Sequence, residues 1–204
     1  MADTCIMLAS GALFDFLEPE ASDFTLNDIA HGLGRVCRFA GQSSSFYSVA
    51  EHCFHVARLV PVEHARAALL HDASEAFLGD VTRPLKSLLP DYKKIEERVE
   101  DAIAKRFLPG FNTEAPREMF RHPLIKQADI AMCVAEAKQL MPETNRFWTD
   151  QSDAVKSQFP ADWDRATSAR LNMDKPEYAT AKWLRAWNRY GHWELELQEQ
   201  GEAA

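Results

Sequence analysis

The chain has 204 residues, 46% of them hydrophobic and 26% charged, with a formal net charge of −8. Its length suits one domain with a sizeable core, and its composition is that of a soluble globular protein. The acidic balance argues against broad binding to nucleic-acid polymers or anionic membranes, and leaves open a small anionic substrate in a locally cationic cleft. No apolar run reaches the roughly 18 residues that span a bilayer, and no signal peptide is read at either end. A cytoplasmic protein is therefore expected. Cys5, Cys37, Cys53 and Cys133 form no CxxC pair and read as buried free thiols of a reducing compartment.

Residues 1–22, interrupted by Gly11 and Pro19, predict an irregular lead-in with at most a short hairpin. From Thr25, the apolar residues Leu26, Ile29, Ala30 and Leu33 recur at helical spacing, with Gly32 and Gly34 as the stop. The polar stretch RVCRFAGQSSSFYS is a loop. Its Arg35 and Arg38 are either surface cations or part of an anion-binding loop. Ser48, with Glu51 three residues on, predicts a capping box for the helix VAEHCFHVARLV, which ends at Pro61. His52 and His55 share one face of that helix, as ligands or as structural histidines.

Pro61 opens the next helix, which runs into LLHDASEAFLGDVTRPLK. Apolar residues from Ala65 to Leu70 give way to His71, Asp72 and Glu75, whose spacings of three and four line one side of a helix. Such a cluster is either a solvated helix end or a site for a divalent metal. Gly79 closes the helix, and DVTRPLK is read as a polar turn ending at Pro84. Asp91 to Phe107 is a long amphipathic helix, followed by a loop at Pro109, Gly110 and Pro116.

A further helix starts near Pro123, apolar at Leu124, Ile125, Ala128, Met132 and Ala135. Asp129 interrupts that face, and a buried aspartate needs a cationic partner or a metal. After Pro142 the chain reads as less regular, with Phe147, Trp148, Phe159 and Trp163. The last helix, Pro176 to about Leu195, carries an aromatic stripe of Tyr178, Trp183, Trp187 and Tyr190 that reads as packing, and the tail QEQGEAA is expected to fray. Period-two alternation is almost absent, so the predicted class is all-α.

Four candidate ligands thus stand on three helices: His52, His71 with Asp72, and Asp129. Packed helices bring such residues together in a bundle core. At this spacing the sequence resembles the HD-domain metal-dependent phosphohydrolases, whose pattern is H…HD…D. The closest likeness is to the small bacterial and phage 5′-deoxynucleotidase-like branch. The stretches that carry it are CRF, YSVAEH, LLHDASEAFLGDVTRPLK, IE and KQADIAMCVAEA, between about Asp28 and Leu140. The specific part is SVAEH followed by HDASE, GD and PLK.

The resemblance implies an HD-domain helical bundle, a single domain over residues 1–204 with a motif-bearing core at about 25–141 and a helical extension at 142–204. It implies that His52, His71, Asp72 and Asp129 bind a divalent metal such as cobalt, manganese, zinc or magnesium. Glu75 matches the family's catalytic glutamate, which orients or deprotonates the attacking water, and Arg38 its phosphate-binding arginine. Asp80, Val81, Thr82 and Arg83 match the substrate-contacting turn, with Asp80 on a sugar hydroxyl. Phe39 stands where the family has a tryptophan against the deoxyribose, His52 also borders the substrate, and Lys86 or Arg83 adds charge. The C-terminal third has no counterpart.

Phosphate-ester hydrolysis needs neutralised phosphoryl oxygens, a positioned water and a leaving oxygen, and these residue types with a metal serve the first two. The reaction implied is hydrolysis of a deoxynucleoside 5′-monophosphate. Three rivals stand beside it: a deoxynucleoside triphosphate triphosphohydrolase selective for dATP, a nucleotide-binding HD module without turnover, and a purely structural bundle. Related enzymes are often dimers, and the aromatic last helix is the candidate homodimer interface.

Overall fold

A computed structural model of the chain describes residues 4–108, 116–142 and 146–202, with side chains for all of these except 146, 147 and 192–202. Among the described residues it is a bundle of ten α-helices with one two-stranded hairpin. The hairpin pairs β1 (Cys5–Met7) with β2 (Leu13–Asp15), Ile6 opposite Phe14. Phe14 is fully buried and stacks on Phe77 with ring centroids 4.1 Å apart. Phe24 meets both rings edge-on, so a three-ring cluster fastens the hairpin to the bundle.

Helix α1 (Leu26–Leu33) starts at a capping box: the Thr25 hydroxyl accepts from the Asp28 amide, and the Asp28 carboxylate accepts from the Thr25 amide. Gly32 lies inside this helix and does not end it. A β-carbon there would lie 2.6 Å from the carbonyl oxygen of Ala76, so the glycine permits close helix packing. Ser48 caps α2 (Val49–Leu59) through the Glu51 amide, but the expected box is only half present. The Glu51 carboxylate instead accepts from the amides of Asn172 (2.7 Å) and Asp174 (2.9 Å). It ties α2 to a segment more than a hundred residues away.

Helix α3 (Val62–Leu70) ends before the HD pair. Residues 71–74 form tight turns, in which Ala73 bonds back to Leu70 and Glu75 to Asp72, and a short α4 (Glu75–Leu78) follows. The single helix expected across His71, Asp72 and Glu75 is therefore two, joined by a tightened corner. Gly79 takes φ +78° after α4, a conformation open mainly to glycine. The turn expected up to Pro84 is instead a short helix, α5 (Arg83–Lys86).

Helices α6 (Pro90–Phe107) and α7 (Pro123–Leu140) fall close to their expected bounds. Of the loop expected between them, residues 109–115 lie outside the described residues, and Pro116–Arg121 is a 3-10 helix. The segment after Pro142 is more regular than its sequence suggested: α8 (Arg146–Gln158) and α9 (Pro160–Thr167) both pack on α7. Phe147 has no described side chain, while Trp163 is buried in the core.

Helix α10 (Pro176–Glu202) runs beyond Leu195 into the stretch expected to fray, of which residues 203 and 204 lie outside the described part. It packs on α1, α2 and α3. Trp183 is fully buried, and its indole N–H donates to the Leu69 carbonyl at 3.1 Å, satisfying one of the free carbonyls at the end of α3. Trp187 and Tyr190 are also buried, while Tyr178 is exposed, so most of the stripe is internal packing. All four cysteines are free thiols; Cys53 is buried and the others are partly exposed. No helix among the described residues is long and apolar enough to cross a membrane.

Candidate active site

Helix α2 sits in the middle of the bundle, against α3, α7 and α10, and is buried on nearly every side. A histidine on it is therefore desolvated, and its ring nitrogens need partners. His52 has them: its Nδ1 lies 2.8 Å from Glu136 Oε1 and its Nε2 3.1 Å from Asp129 Oδ1. Glu136 is fully buried and accepts in addition from the Tyr47 hydroxyl (2.8 Å) and Arg38 Nε (3.1 Å). Burial opposes charge on this carboxyl, but His52, Arg38 and the donated hydrogen bonds outweigh it and keep its pKa below the ordinary range. An ionised Glu136 accepts the hydrogen bond from Nδ1–H and so directs Nε2 toward Asp72 and Asp129.

His71 is set the same way by a different partner. Its Nδ1 donates to the Ala68 carbonyl at 2.8 Å, which the tightened corner after α3 brings within reach. Its Nε2 is buried without a hydrogen-bond partner, 3.3 Å from Asp72 Oδ2 and 3.9 Å from Asp129 Oδ1. Ligand atoms of His52, His71 and Asp72 lie within 4.8 Å of one another, close enough to hold one ion. Asp129 reaches both imidazoles from α7, while the mutually close group is His52, His71 and Asp72. Burial disfavours charge on both rings, yet the carboxylates around them raise both pKa values, His71 furthest. The same gathering of negative charge suits a divalent cation, and two imidazoles with two carboxylates suit a first-row metal or magnesium.

Glu75 stands at the start of α4, 5% exposed, with Oε2 buried and unpartnered and Oε1 3.8 Å from Lys86 Nζ. Burial, then Asp72 and Asp80, raise its carboxyl well above the usual range. Asp80 is half-buried; burial raises its pKa against the pull of Arg38, with Asp72 adding to the rise. The turn after Gly79 therefore faces the same centre. Val81 and Thr82 are half-buried, Arg83 is exposed, and Lys86 is paired with Glu96.

Arg38 is buried, with Nε on Glu136 and Nη1 3.5 Å from Asp72 Oδ2. Of the two loop arginines it alone joins the cluster; Arg35 pairs with Glu177 across 3.3 Å near the surface. Phe39 follows in a left-handed conformation, φ +56°, which is strained for an aromatic residue. Its ring lies 5.6 Å from the Arg38 guanidinium and 6.0 Å from the Trp148 ring, which α8 supplies. Trp148, Tyr47 and Glu136 escaped the sequence reading. Glu136 had a signal: it lies seven residues after Asp129, two helical turns along the same face.

Two histidines and two aspartates clustered in a helical core, with a glutamate one turn beyond the His-Asp pair, define an HD-domain phosphohydrolase. A family described as 5′-deoxynucleotidase YfbR-like matches residues 46–160. The uncharacterized protein YfdR of Escherichia coli (strain K12) is 40% identical over 140 residues, 68% of this chain and 74% of that protein. An uncharacterized protein of Rhodobacter capsulatus is 38% identical over 143 residues, 65% of this chain and 71% of its own length. The chain belongs to the YfbR-like family and is a metal-dependent hydrolase of the HD class.

Glu136→Gln keeps the shape but removes the charge that fixes His52. Metal titration into chelator-treated protein is expected to show affinity lower by about 10–100-fold. Unchanged affinity would mean that His52 is oriented by packing alone.

Proposed function

We propose that this site hydrolyses deoxynucleoside 5′-monophosphates to the deoxynucleoside and phosphate. The observation that most supports hydrolysis over mere binding is the bare, buried Glu75 oxygen beside the His52, His71 and Asp72 cluster. A nucleotide-holding module has no use for such a base, and burying it unpaired costs stability. When bound, a divalent ion supplies Lewis-acid charge to the phosphoryl oxygens and acidifies water.

Glu75 then takes the proton of the attacking water, helped by the raised basicity that burial and its acidic neighbours give it. Arg38, with Nε on Glu136, directs Nη1 toward Asp72 and grips the phosphate there. Asp80 accepts from a sugar hydroxyl, and Phe39 with Trp148 forms an aromatic wall for the sugar or base.

Product analysis tests the reading with deoxynucleoside mono- and triphosphates and several divalent metals. Orthophosphate and deoxynucleoside from the monophosphate are expected. Release of intact triphosphate as the preferred reaction would make this a triphosphohydrolase. Arg38→Lys should lower kcat/KM by about one to two decades for every base, because an ammonium lacks the guanidinium's fork. A silent variant would mean that the phosphate is held elsewhere.

A further inference from the structure

A second cationic hollow lies away from the metal cluster, between α2 and α10. It encloses about 800 Å³, with Arg58, Lys182, Arg185 and Arg189 on its walls. A hollow of about 600 Å³ adjoins it through the shared residues Phe54, Arg58 and Lys182, and adds Arg165 and Arg170. Among the described residues no carboxylate lines either one. In a chain of net charge −8 such a concentration of positive charge is not a by-product of composition. No expected metal ligand or substrate residue lines it.

Its members are held in place. Phe54 has Lys182 Nζ 5.3 Å and the Arg58 guanidinium 5.6 Å from its ring centroid, so two like charges gather at one ring. Arg165 crosses from α9 to donate to the Leu59 and Arg58 carbonyls at the end of α2. Lys182 is anchored by an ion pair with Asp174. His55 also lines the smaller hollow, 3% exposed, with its Nε2 facing Glu51 Oε1 across 3.7 Å.

We propose that this hollow is a second binding site for a molecule carrying several linked phosphates. Lys182, Arg185 and Arg189 recur at spacings of three and four, one stripe of α10 covering roughly 10 Å at 1.5 Å per residue. Arg58 faces that stripe from α2. A row of this length matches a phosphate chain rather than a single phosphate. The concave shape and the acidic whole favour a small molecule over a nucleic-acid strand. The hollow is linked to the candidate catalytic centre only through helices that both share. His52 lies on the α2 that carries Phe54, His55 and Arg58, and α10 holds the end of α3 through Trp183.

The test is calorimetric titration of inorganic tripolyphosphate into the full chain without added metal. The comparison is Arg58→Ala/Arg185→Ala, a pair of exposed residues. The double variant should raise Kd by roughly tenfold or more for the lost charge-assisted contacts, and leave turnover of the nucleotide substrate unchanged. A control pair on α6, Lys93→Ala/Lys94→Ala, should leave Kd as it was. Tighter binding of dATP than of tripolyphosphate would identify a nucleoside polyphosphate, and equal binding the bare phosphate chain. The proposal fails if the double variant binds like wild type, or if orthophosphate binds as tightly. It fails equally if a single-stranded oligonucleotide outcompetes tripolyphosphate, which would make the hollow a polymer surface.

Discussion

Asp72→Ala is expected to abolish metal binding and turnover while the helices stay folded. Asp72 Oδ2 lies 3.3 Å from His71 Nε2, 3.7 Å from His52 Nε2 and 3.5 Å from Arg38 Nη1. One carboxylate thus faces both imidazoles and the arginine, and no neighbour can supply its charge at that point. Its side chain is 23% exposed and sits at a turn rather than in the core, so its loss leaves packing largely intact. Elemental analysis and circular dichroism on the same sample separate the two effects. Full metal occupancy in the variant would show that the ion is held by another set of residues.

Glu75→Gln is expected to keep the metal and the substrate but to lower kcat by about 10²–10⁴-fold, the range of a lost general base. The substitution is isosteric, so the interface of α4 with α1 is preserved. The amide cannot take a proton at the oxygen that is bare in the wild type. Metal occupancy, KM and kcat measured together give the answer. A variant turning over at the wild-type rate would leave Glu75 as a buried structural acid. Asp72→Ala should differ by losing the metal as well, so the pair divides binding from chemistry.

The candidate ligands were legible because their chemistry conflicts with their surroundings. His52, His71 and Asp129 interrupt apolar helical faces, and such interruptions are visible in a one-dimensional pattern. The support beneath them was less so. Tyr47 and Glu136 look like an ordinary aromatic and an ordinary helical acid until α2 and α7 are packed and three donors converge on one carboxylate. Glu51 matched a capping box in sequence, but a partner 121 residues away claims its side chain. Trp148 lay in a stretch whose helices had weak periodicity, and only tertiary packing brings it to Phe39. The helix break after Leu70 was hidden because His71 to Ser74 carry no glycine or proline.

The bond from Trp183 to Leu69 spans 114 residues and bears on the order in which the molecule is made. A ribosome extends a chain at roughly 5–20 residues per second, so the end of α3 waits roughly 6–23 seconds for the indole that completes it. During that interval the His-Asp corner is already synthesised but lacks the Trp183 contact at the end of α3. The amides that donate to Glu51 also arrive late, at Asn172 and Asp174. A chain truncated after residue 170 should therefore be cut by protease around Leu70, whereas the 204-residue chain should resist. Equal resistance of the two would mean that the corner forms without α10.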